Sequence, residues 1–580
     1  MPPDLSTYPG LLRHYLRPLW RPALGLAAAL LASLALELLN PFILRGFIDT
    51  ALAAGPLAEL TGLAVFFLAA ALALQGTRVA ENYLAAHIGL AATNRLRADL
   101  ALHVLSLDMP FHNARTPGEL IERVDGDVAT LGNFFARFVV QLLGNGLLLA
   151  GVLILLFSLD WRVGLALTVF VALSLLAVNY LRGVAVPFYS RARQSSAALF
   201  GYIEERLSFT EDARANGAVP YVLSGLAVRS RDRLRRHLTA ESIGSATGSS
   251  TIVLFAAGTA VGLGLGAYLF GQGRFSLGTV YLIFAYCQLL SRPIEQLSRQ
   301  FQDLQLAGAG LARIRDLWTE RSALQPGEEA LPAGPLAVEF DDVSFTYGAD
   351  VPAVRGVSFR LAPGQVLGLL GRTGSGKTTL TRLLFRLYDP TGGEVRLGGQ
   401  PLPDLALGAI RSGVGIVTQD IQLFHAPVRD NLTLFDPTIP DGLILDTLRD
   451  LGLWAWYEAL PDGLDTRLTG SGGLSAGQAQ LLAFARVFLR NPAVVVLDEA
   501  SSRLDPATEM QLERAVDRLL TGRTVILIAH RLATVARADL ILILEGGQVV
   551  EAGPQAALAR DPGSRLSELL RAGLETEVLA

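Results

Sequence analysis

Long apolar stretches with few charges dominate the first half of this 580-residue chain. A helix needs about 20 residues, at 1.5 Å each, to cross the hydrocarbon core of a bilayer. The pattern therefore predicts six membrane spans, at about residues 22–44, 60–77, 138–159, 163–181, 250–270 and 275–291. The alternative is a set of core helices in a large soluble protein, but six such segments within roughly 300 residues favour a membrane domain.

The first residues have the pattern of a short amphipathic helix, at about 6–17, that lies on a membrane surface. Apolar residues recur there at helical spacing beside basic ones, namely Tyr8, Leu11, Leu12, Tyr15 and Leu16 beside Arg13, His14 and Arg17. Pro18 should end or kink this helix. No apolar run precedes the first span, so we do not expect a secretory signal.

The arginines predict how the spans are oriented. Residues 1–21, 78–137 and 182–249 hold three, six and ten arginines, whereas the opposite loops carry only Arg45, Arg162 and Arg274. By the positive-inside rule, both termini and the two long loops face the cytoplasm. These loops are too long to be structureless, so we expect the spans to continue as helices into the cytoplasm. The sequence thus predicts a multi-pass protein of the cell (cytoplasmic or inner) membrane.

The character of the sequence changes near residue 320. Residues 321–335 are rich in proline and glycine, which predicts a helix-breaking linker. From 336 to 580, short apolar runs alternate with helical patterns, which is typical of an α/β domain with a largely parallel sheet. We therefore expect a membrane domain over 1–320 and a second, cytoplasmic domain over 336–580.

Composition supports this division and excludes several classes of protein. Apolar residues make up 51% and charged residues 18% of the chain, the mean hydropathy is +0.40, and the net charge is -4. The share of charged residues is too low for a disordered or nucleic-acid-binding chain, and the net charge is too small to indicate a charged polymer as partner. We therefore expect no nucleic-acid partner. The single cysteine, Cys287, excludes an intrachain disulfide. Of the 49 basic side chains only Lys377 is a lysine.

That lysine lies in a phosphate-binding motif. The apolar run 366–370 is followed by Gly371, Arg372, Thr373, Gly374, Ser375, Gly376, Lys377 and Thr378. This matches G-x-x-x-x-G-K-[ST] in its required position between a strand and a helix. Backbone N–H groups of such a loop bind phosphate oxygens, the lysine reaches the β- and γ-phosphates, and Thr378 offers a hydroxyl to Mg²⁺. Thr379 is a further candidate contact to the nucleotide.

A second motif places two carboxylates after a buried strand. Residues 494–497 are apolar, and Asp498 and Glu499 follow them. Two acids after a strand are also common at helix N-termini, but a phosphate-binding loop upstream favours a catalytic pair. Asp498 would hold Mg²⁺ through water, and Glu499 would polarise the water that attacks ATP.

With these motifs in place, the chain resembles the ATP-binding cassette (ABC) family. The resemblance implies an α-helical six-span membrane domain followed by an α/β P-loop ATPase domain of the ABC type. Residues 474–478, Leu-Ser-Ala-Gly-Gln, match the family signature L-S-G-G-Q at four of five positions. In the family, this motif contacts the nucleotide on the partner subunit, which implies that role for Ser475, Gly477 and Gln478.

The resemblance also implies roles for four single residues. Gln419 matches the Q-loop, which senses Mg²⁺ and touches the membrane domain, and His530 matches the switch histidine at the γ-phosphate. Asp505 belongs to the D-loop, and Tyr347 matches the aromatic residue that stacks on adenine. Alone, a histidine at a strand end is usually structural and a tyrosine is usually part of a core.

The membrane half resembles exporters of this family in which one chain carries six spans and one cassette. A group of residues in the first cytoplasmic loop resembles a coupling region, namely Phe111, Gly118, Glu119, Arg123 and Asp127. Residues 204–214 resemble a second one. The resemblance implies ATP-driven export of hydrophobic or amphipathic molecules by alternating access in a dimer. The alternatives are a lipid flippase with the same ATP-driven mechanism, and an ATP-regulated channel or sensor on the same fold.

Three departures from the family pattern concern the partner chain. Ala476 replaces a signature glycine, Ala479 stands where arginine is usual, and Arg503 replaces a small residue of the D-loop. Each position touches the opposite cassette in the family. We therefore expect a different half-transporter as partner rather than a second copy.

The sequence does not distinguish drugs, lipids and peptides as cargo. Glu37 is the best candidate for a cargo contact, because a carboxylate within a span needs a reason, and it could attract cationic amphiphiles. For the intramembrane amides, such as Asn145 and Gln288, we expect bridges between helices rather than cargo contacts.

Overall fold

A computed structural model describes residues 8–132, 139–348, 351–418, 421–468, 474–498, 506–528 and 535–578. The chain divides into two compact units. The first comprises residues 1–107 and 115–320, and the second comprises residues 108–114 and 321–580. The short segment 108–114, which lies in the first loop predicted to be cytoplasmic, therefore belongs to the same unit as the C-terminal half.

Long helices build the first unit. In chain order the helices are α1 Tyr8–Leu16, α2 Trp20–Leu52, α3 Leu57–Ser106, α4 Met109–Asn113, α5 Pro117–Ile121, α6 Gly144–Leu159, α7 Trp161–Ser208, α8 Thr210–Ala215, α9 Val219–Gly271 and α10 Leu277–Thr319, of which α4 lies in the second unit. At 1.5 Å per residue, α3 is about 75 Å long, more than twice the thickness of a hydrocarbon core. Helices of this length have room for both a span and a cytoplasmic extension.

Five helical segments of the described chain are long and apolar enough to cross a membrane, namely Arg13–Leu52, Leu57–Ser106, Gln141–Leu159, Trp161–Ser208 and Val219–Gly271. They contain four of the predicted spans, and a fifth, 138–159, from residue 141 onward. The sixth, 275–291, falls largely within α10, where Gln288 and Arg292 interrupt the apolar run. This helix does not reach the same apolarity, so the sixth span stays a prediction.

Small residues let the helices of the first unit pack closely. Val152 of α6, Leu167 of α7 and Ile283 of α10 lie in one cluster and are fully buried. A Cβ atom at Gly262 of α9 would lie 2.8 Å from the Cys287 sulfur of α10, so only glycine fits at this approach. Packing through small residues replaces the hydrophobic effect where the solvent is lipid.

Two sheets form the frame of the second unit. Its strands are β1 Val338–Thr346, β2 Pro352–Leu361, β3 Val366–Leu370, β4 Gly392–Leu397, β5 Gln400–Pro401, β6 Val414–Val417, β7 Val494–Asp498, β8 Thr524–Ile528, β9 Leu540–Glu545 and β10 Gln548–Pro554. The antiparallel sheet has the order β2-β1-β4-β5, and the larger sheet has the order β10-β9-β3-β8-β7-β6. In the larger sheet β9, β3, β8, β7 and β6 are parallel, and only β10 is antiparallel.

Helices cover the larger sheet. They are α11 Lys377–Leu384, α12 Leu407–Gly413, α13 Val428–Thr433, α14 Asp441–Asp450, α15 Trp454–Glu458, α16 Ala476–Arg490, α17 Pro506–Leu520, α18 Gln555–Arg560 and α19 Arg565–Val578. The strands β3, β7 and β8 are apolar almost throughout and are buried on both faces, which is what a parallel sheet between helices requires.

The predicted linker is fixed to the second unit. Arg386, only 1% exposed, donates to the carbonyl oxygen of Gln325 at 2.7 Å and to Asp389 at 3.0 Å. Glu329 donates its N–H to the carbonyl oxygen of Asp404 at 3.0 Å. A buried guanidinium needs several acceptors, and here a linker carbonyl is one of them.

Candidate nucleotide-binding site

The sheet topology places the ends of four parallel strands at one edge. Leu369 of β3 and Asp498 of β7 both pair with Ile528 of β8, and Val417 of β6 pairs with Leu497. Adjacent strands lie about 4.8 Å apart, so the ends of β3 and β7 are roughly 10 Å apart. Ligands of open α/β sheets bind at this carboxyl edge.

The phosphate-binding loop leaves β3 at this edge and needs its glycines. Gly371 has a φ of +146°, and a Cβ atom there would lie 2.3 Å from the carbonyl oxygen of Leu544. Gly376, with a φ of +104°, precedes the first residue of α11, and its Cβ atom would lie 2.8 Å from the carbonyl oxygen of Ala353. Both positions are left-handed and crowded, so side chains there would break the loop.

The polar groups of the loop suit a phosphate. Lys377 is 7% exposed, and its ammonium group donates to the carbonyl oxygens of Gly371 at 2.5 Å and Arg372 at 3.0 Å. The hydroxyl of Ser375 is buried and has no hydrogen-bond partner among the described residues. A buried, unpaired hydroxyl is costly, and a phosphate oxygen would satisfy it. Thr378 is exposed at the start of α11, so its hydroxyl is accessible to a cation.

Tyr347 lies beside the same helix. Its hydroxyl donates to Thr379 at 3.2 Å and accepts from Arg382 at 3.1 Å. Its ring is 46% exposed and contacts the rings of Phe345 and Tyr388 edge-on. An exposed ring supported from behind by two aromatic residues is suited to stacking on a base.

Asp498 is the last residue of β7, the strand next to β8, and its side chain is partly exposed. Its carboxylate and the Thr378 hydroxyl are hard oxygen ligands of the kind that Mg²⁺ prefers. Four other predicted residues, Gln419, Glu499, Asp505 and His530, lie outside the described part of the chain. Gln419, Glu499 and His530 follow β6, β7 and β8 by one or two residues, and their roles stay predictions.

The family signature begins a helix. Ser475 caps α16: its hydroxyl accepts from the N–H of Gln478 at 3.1 Å, and the side chain of Gln478 accepts from the N–H of Ser475 at 2.9 Å. Ser475 and Ala476 are exposed, whereas Gly477 is buried. The cap uses a lone pair of the Ser475 oxygen and leaves its O–H proton available to an anion at the positive end of the helix.

Two polar residues that the sequence pattern did not single out fix α16 to the chain that follows Gln419. Arg486 of α16 donates to the carbonyl oxygens of Asn431 at 2.7 Å and Gln422 at 3.0 Å. The side chain of Asn431 is only 1% exposed, and its amide nitrogen donates to the carbonyl oxygens of Phe424 and Ala426. Burial lowers the pKa of Arg486. No sequence signal finds this pair, because its acceptors are backbone carbonyls.

The predicted coupling residues of the first cytoplasmic loop belong to different units. The segment 108–114, which contains Phe111, is part of the second unit, where Asn113 donates to the hydroxyl of Tyr388 at 2.7 Å. Asp108 caps α4 and also accepts from the N–H of Ala323 at 2.7 Å.

The other predicted coupling residues make contacts within the first unit. Arg123 pairs with Glu119 at 2.6 Å. Arg313 pairs with the buried Asp127, and the hydrogen bond between them raises the pKa of Arg313. This pair ties the segment between α5 and α6 to the C-terminal part of α10.

Glu37, the candidate for a cargo contact, is part of an ion pair. Its carboxylate pairs with Arg78 of α3 at 2.8 Å, which balances its charge, and its contact with cargo stays a prediction. The expectation for the amides fits Asn145, which donates to Gln296 at 2.8 Å and bridges α6 and α10.

Two family models match the chain. One, described as "ABC transporter transmembrane region", covers residues 24–294, and the other, described as "ABC transporter", covers residues 354–502. The chain is 32% identical to the ATP-dependent lipid A-core flippase of Paraburkholderia xenovorans over 502 residues, 84% of this chain and 82% of that protein. It is 32% identical to a multidrug efflux ATP-binding/permease protein of Mycobacterium bovis, over 96% of this chain and 46% of that protein.

The fold is similar to that of a bacterial Atm1-family ABC exporter solved with ATP bound. The TM-score is 0.79 at 24% identity, and the match covers 96% of this chain and 98% of the other.

Proposed function

This chain belongs to the ABC transporter family as an ATP-hydrolysing half-transporter of the exporter type, and we propose that it drives export of hydrophobic or amphipathic molecules from the cytoplasmic membrane together with a second half-transporter chain. Both termini and both cassettes would face the cytoplasm. The observation that carries the proposal is the phosphate-binding loop, in which the one lysine of the chain and the unpaired Ser375 hydroxyl lie together.

Each part of the site has a role in binding and hydrolysis. The backbone of 371–376 and the ammonium of Lys377 would hold the phosphates, and Tyr347 would stack on the adenine. Thr378, Asp498 and Gln419 would hold Mg²⁺, which when bound supplies positive charge to the β- and γ-phosphates. Glu499 would polarise the attacking water, and His530 would bind the γ-phosphate.

The partner would complete the site. The exposed Ser475, with Gly477 and Gln478 at the start of α16, would bind the nucleotide held by the other chain, and Asp505 would contribute from the D-loop. ATP would then bind both cassettes and favour their closed pair, and hydrolysis would release it. The membrane helices would follow by alternating access, because ATP favours one state of the pair and its loss favours the other.

Replacement of the predicted catalytic carboxylate tests this proposal. Glu499→Gln should retain ATP binding and lower hydrolysis by a factor of about 10² to 10⁴, because an amide does not accept the proton of the water. The measurement is ATP hydrolysis and ATP-driven uptake of a fluorescent amphiphile in inside-out vesicles.

Glu328→Gln makes the same exchange at an exposed linker position and should have no effect. Unchanged hydrolysis in the Glu499→Gln protein would remove Glu499 from this role. A competent site on the partner chain would limit the loss to a fraction of the total.

A further inference from the structure

A polar pocket and an apolar pocket lie side by side in the first unit. The polar pocket has a volume of about 320 Å³ and is lined by charged and amide side chains together with a serine and several leucines. The apolar pocket, about 310 Å³, is lined only by leucine, isoleucine and alanine side chains. Both volumes are at the lower end of the range for small-molecule sites.

The two pockets are adjacent along one helix face. They share Leu30 of α2. On α3, Glu81 lines the polar pocket, and Ala85 and Ile88 line the apolar one. Residues spaced by three and four positions share a face of a helix, and seven residues span about 10 Å. A molecule with a polar head and an apolar chain would fit along this face.

The charges of the polar pocket are not all balanced. Of its four charged side chains, Glu37 and Arg78 pair with each other. Glu81 is only 8% exposed, and its carboxylate accepts the hydroxyl of Ser33. Arg292 is exposed, and no ion pair or hydrogen bond joins its guanidinium to another residue in the described ranges. The four charges sum to zero, but the carboxylate of Glu81 is buried, so the exposed charge without an ionic partner among the described residues is that of Arg292.

We propose that this double pocket binds an amphiphile with an anionic head, a carboxylate or a phosphate, at Arg292 and with its alkyl chain in the apolar pocket. The inference rests on the proposed function, because it names the chemical class and the site of the cargo. A guanidinium recognises either head through two parallel hydrogen bonds. In the predicted orientation, Arg292 follows the sixth span on its cytoplasmic side. The head groups of anionic amphiphiles in the inner leaflet lie at this level of the membrane.

Binding of matched single-chain probes tests the proposal. The full transporter in nanodiscs, without nucleotide, is dialysed against dodecanoate, dodecyl phosphate or dodecyltrimethylammonium, with empty nanodiscs as background. We expect the two anionic probes to bind and Arg292→Gln to weaken them about tenfold or more, with a smaller loss in Arg292→Lys. Acetate and inorganic phosphate, which lack the chain, should not bind.

Two further variants complete the design. Ala27→Trp, which fills the apolar pocket, should also weaken the anionic probes. Arg274→Gln makes the matched exchange in a loop predicted to lie on the other side of the membrane and should leave binding unchanged. Size-exclusion profiles of all variants establish that they fold.

The outcomes are separable. Tighter binding of dodecanoate assigns a carboxylate head, and tighter binding of dodecyl phosphate assigns a phosphate head; both support the proposal. Binding of the anionic probes that is unchanged in Arg292→Gln, or tighter binding of the cationic probe, overturns it and points to Glu81 instead. Because no nucleotide is present, this result is independent of the vesicle assay for ATP-driven export.

Discussion

Lys377 is the residue whose chemistry is most constrained. Its ammonium group lies within hydrogen-bond distance of two loop carbonyls, and its side chain is almost completely buried. Compared with an ammonium group, a guanidinium is planar and larger, and it needs acceptors spread over a wider range of directions. In a chain that uses arginine at every other basic position, the loop geometry explains why lysine is retained here.

Lys377→Arg should therefore weaken ATP binding by about tenfold or more, although the charge is conserved. Calorimetric titration of the purified transporter with ATP measures the effect. Arg411→Lys, the reverse exchange at an exposed position of the same unit, should leave the affinity unchanged. An unaltered affinity in Lys377→Arg would show that the loop accommodates a guanidinium.

Residues differ in how far the sequence predicts them. The loop glycines and Lys377 follow from a motif whose spacing is dictated by phosphate geometry. The roles of Arg386 and Asn431 do not follow from a motif, because the backbone carbonyls to which they donate carry no side-chain signal in the sequence. The ion pair of Glu37 does not follow from the sequence pattern either, because its partner Arg78 lies on another helix and pairing between helices is not visible in one span.

Among the elements, the short helix α4 has a place in the fold that differs from its place in the sequence. It lies between α3 and α5 along the chain but packs in the second unit. Met109 contacts the core beneath the antiparallel sheet, and Asn113 donates to Tyr388. Since the Tyr388 ring contacts the Tyr347 ring at 5.3 Å, two contacts join this helix to the residue proposed to stack on adenine.

Tyr388→Phe should loosen α4 and leave the ring contact intact. A lost hydrogen bond of about 1 kcal/mol increases local opening about fivefold, so amide exchange of segment 108–114 should accelerate by that factor. Hydrogen-exchange mass spectrometry measures it. Asn113→Ala should have a similar effect, and the double variant should be less than additive because one bond is removed in both.

Tyr457→Phe removes a hydroxyl elsewhere in the same unit and serves as the control. Its exchange in segment 108–114 should equal that of the unaltered protein. If Tyr388→Phe matches this control, the hydrogen bond does not hold α4 in place.

Most elements could be predicted from periodicity. Four predicted spans and most of a fifth lie in helices of the right length and apolarity, and the phosphate-binding loop lies between β3 and α11. The boundary of the second unit could not be predicted from periodicity, because the sequence pattern of segment 108–114 does not differ from that of the loop around it. Its place is determined by contacts with residues more than 200 positions away, such as Ala323 and Tyr388.

At the scale of the whole molecule, the proposed function needs two chains at each nucleotide site. Ser475 and Ala476 are exposed at the start of α16, and within the described ranges the Ser475 hydroxyl uses only its acceptor side. In the proposed dimer, the phosphate-binding loop of one chain and Ser475 of the other enclose each ATP. A mismatch between the chains would therefore weaken both sites.

The departures at Ala476 and Arg503 predict that this chain pairs with a different half-transporter. Arg503 adds a bulky charge where a small residue lets two cassettes approach, and in a homodimer two such charges would be brought together. An acidic residue on another chain would neutralise the charge instead. Expressed alone, the protein should form few dimers that ATP stabilises, whereas co-expression with a neighbouring cassette chain should give a one-to-one complex. Native mass spectrometry decides between them, and a homogeneous, ATP-hydrolysing homodimer would refute the prediction.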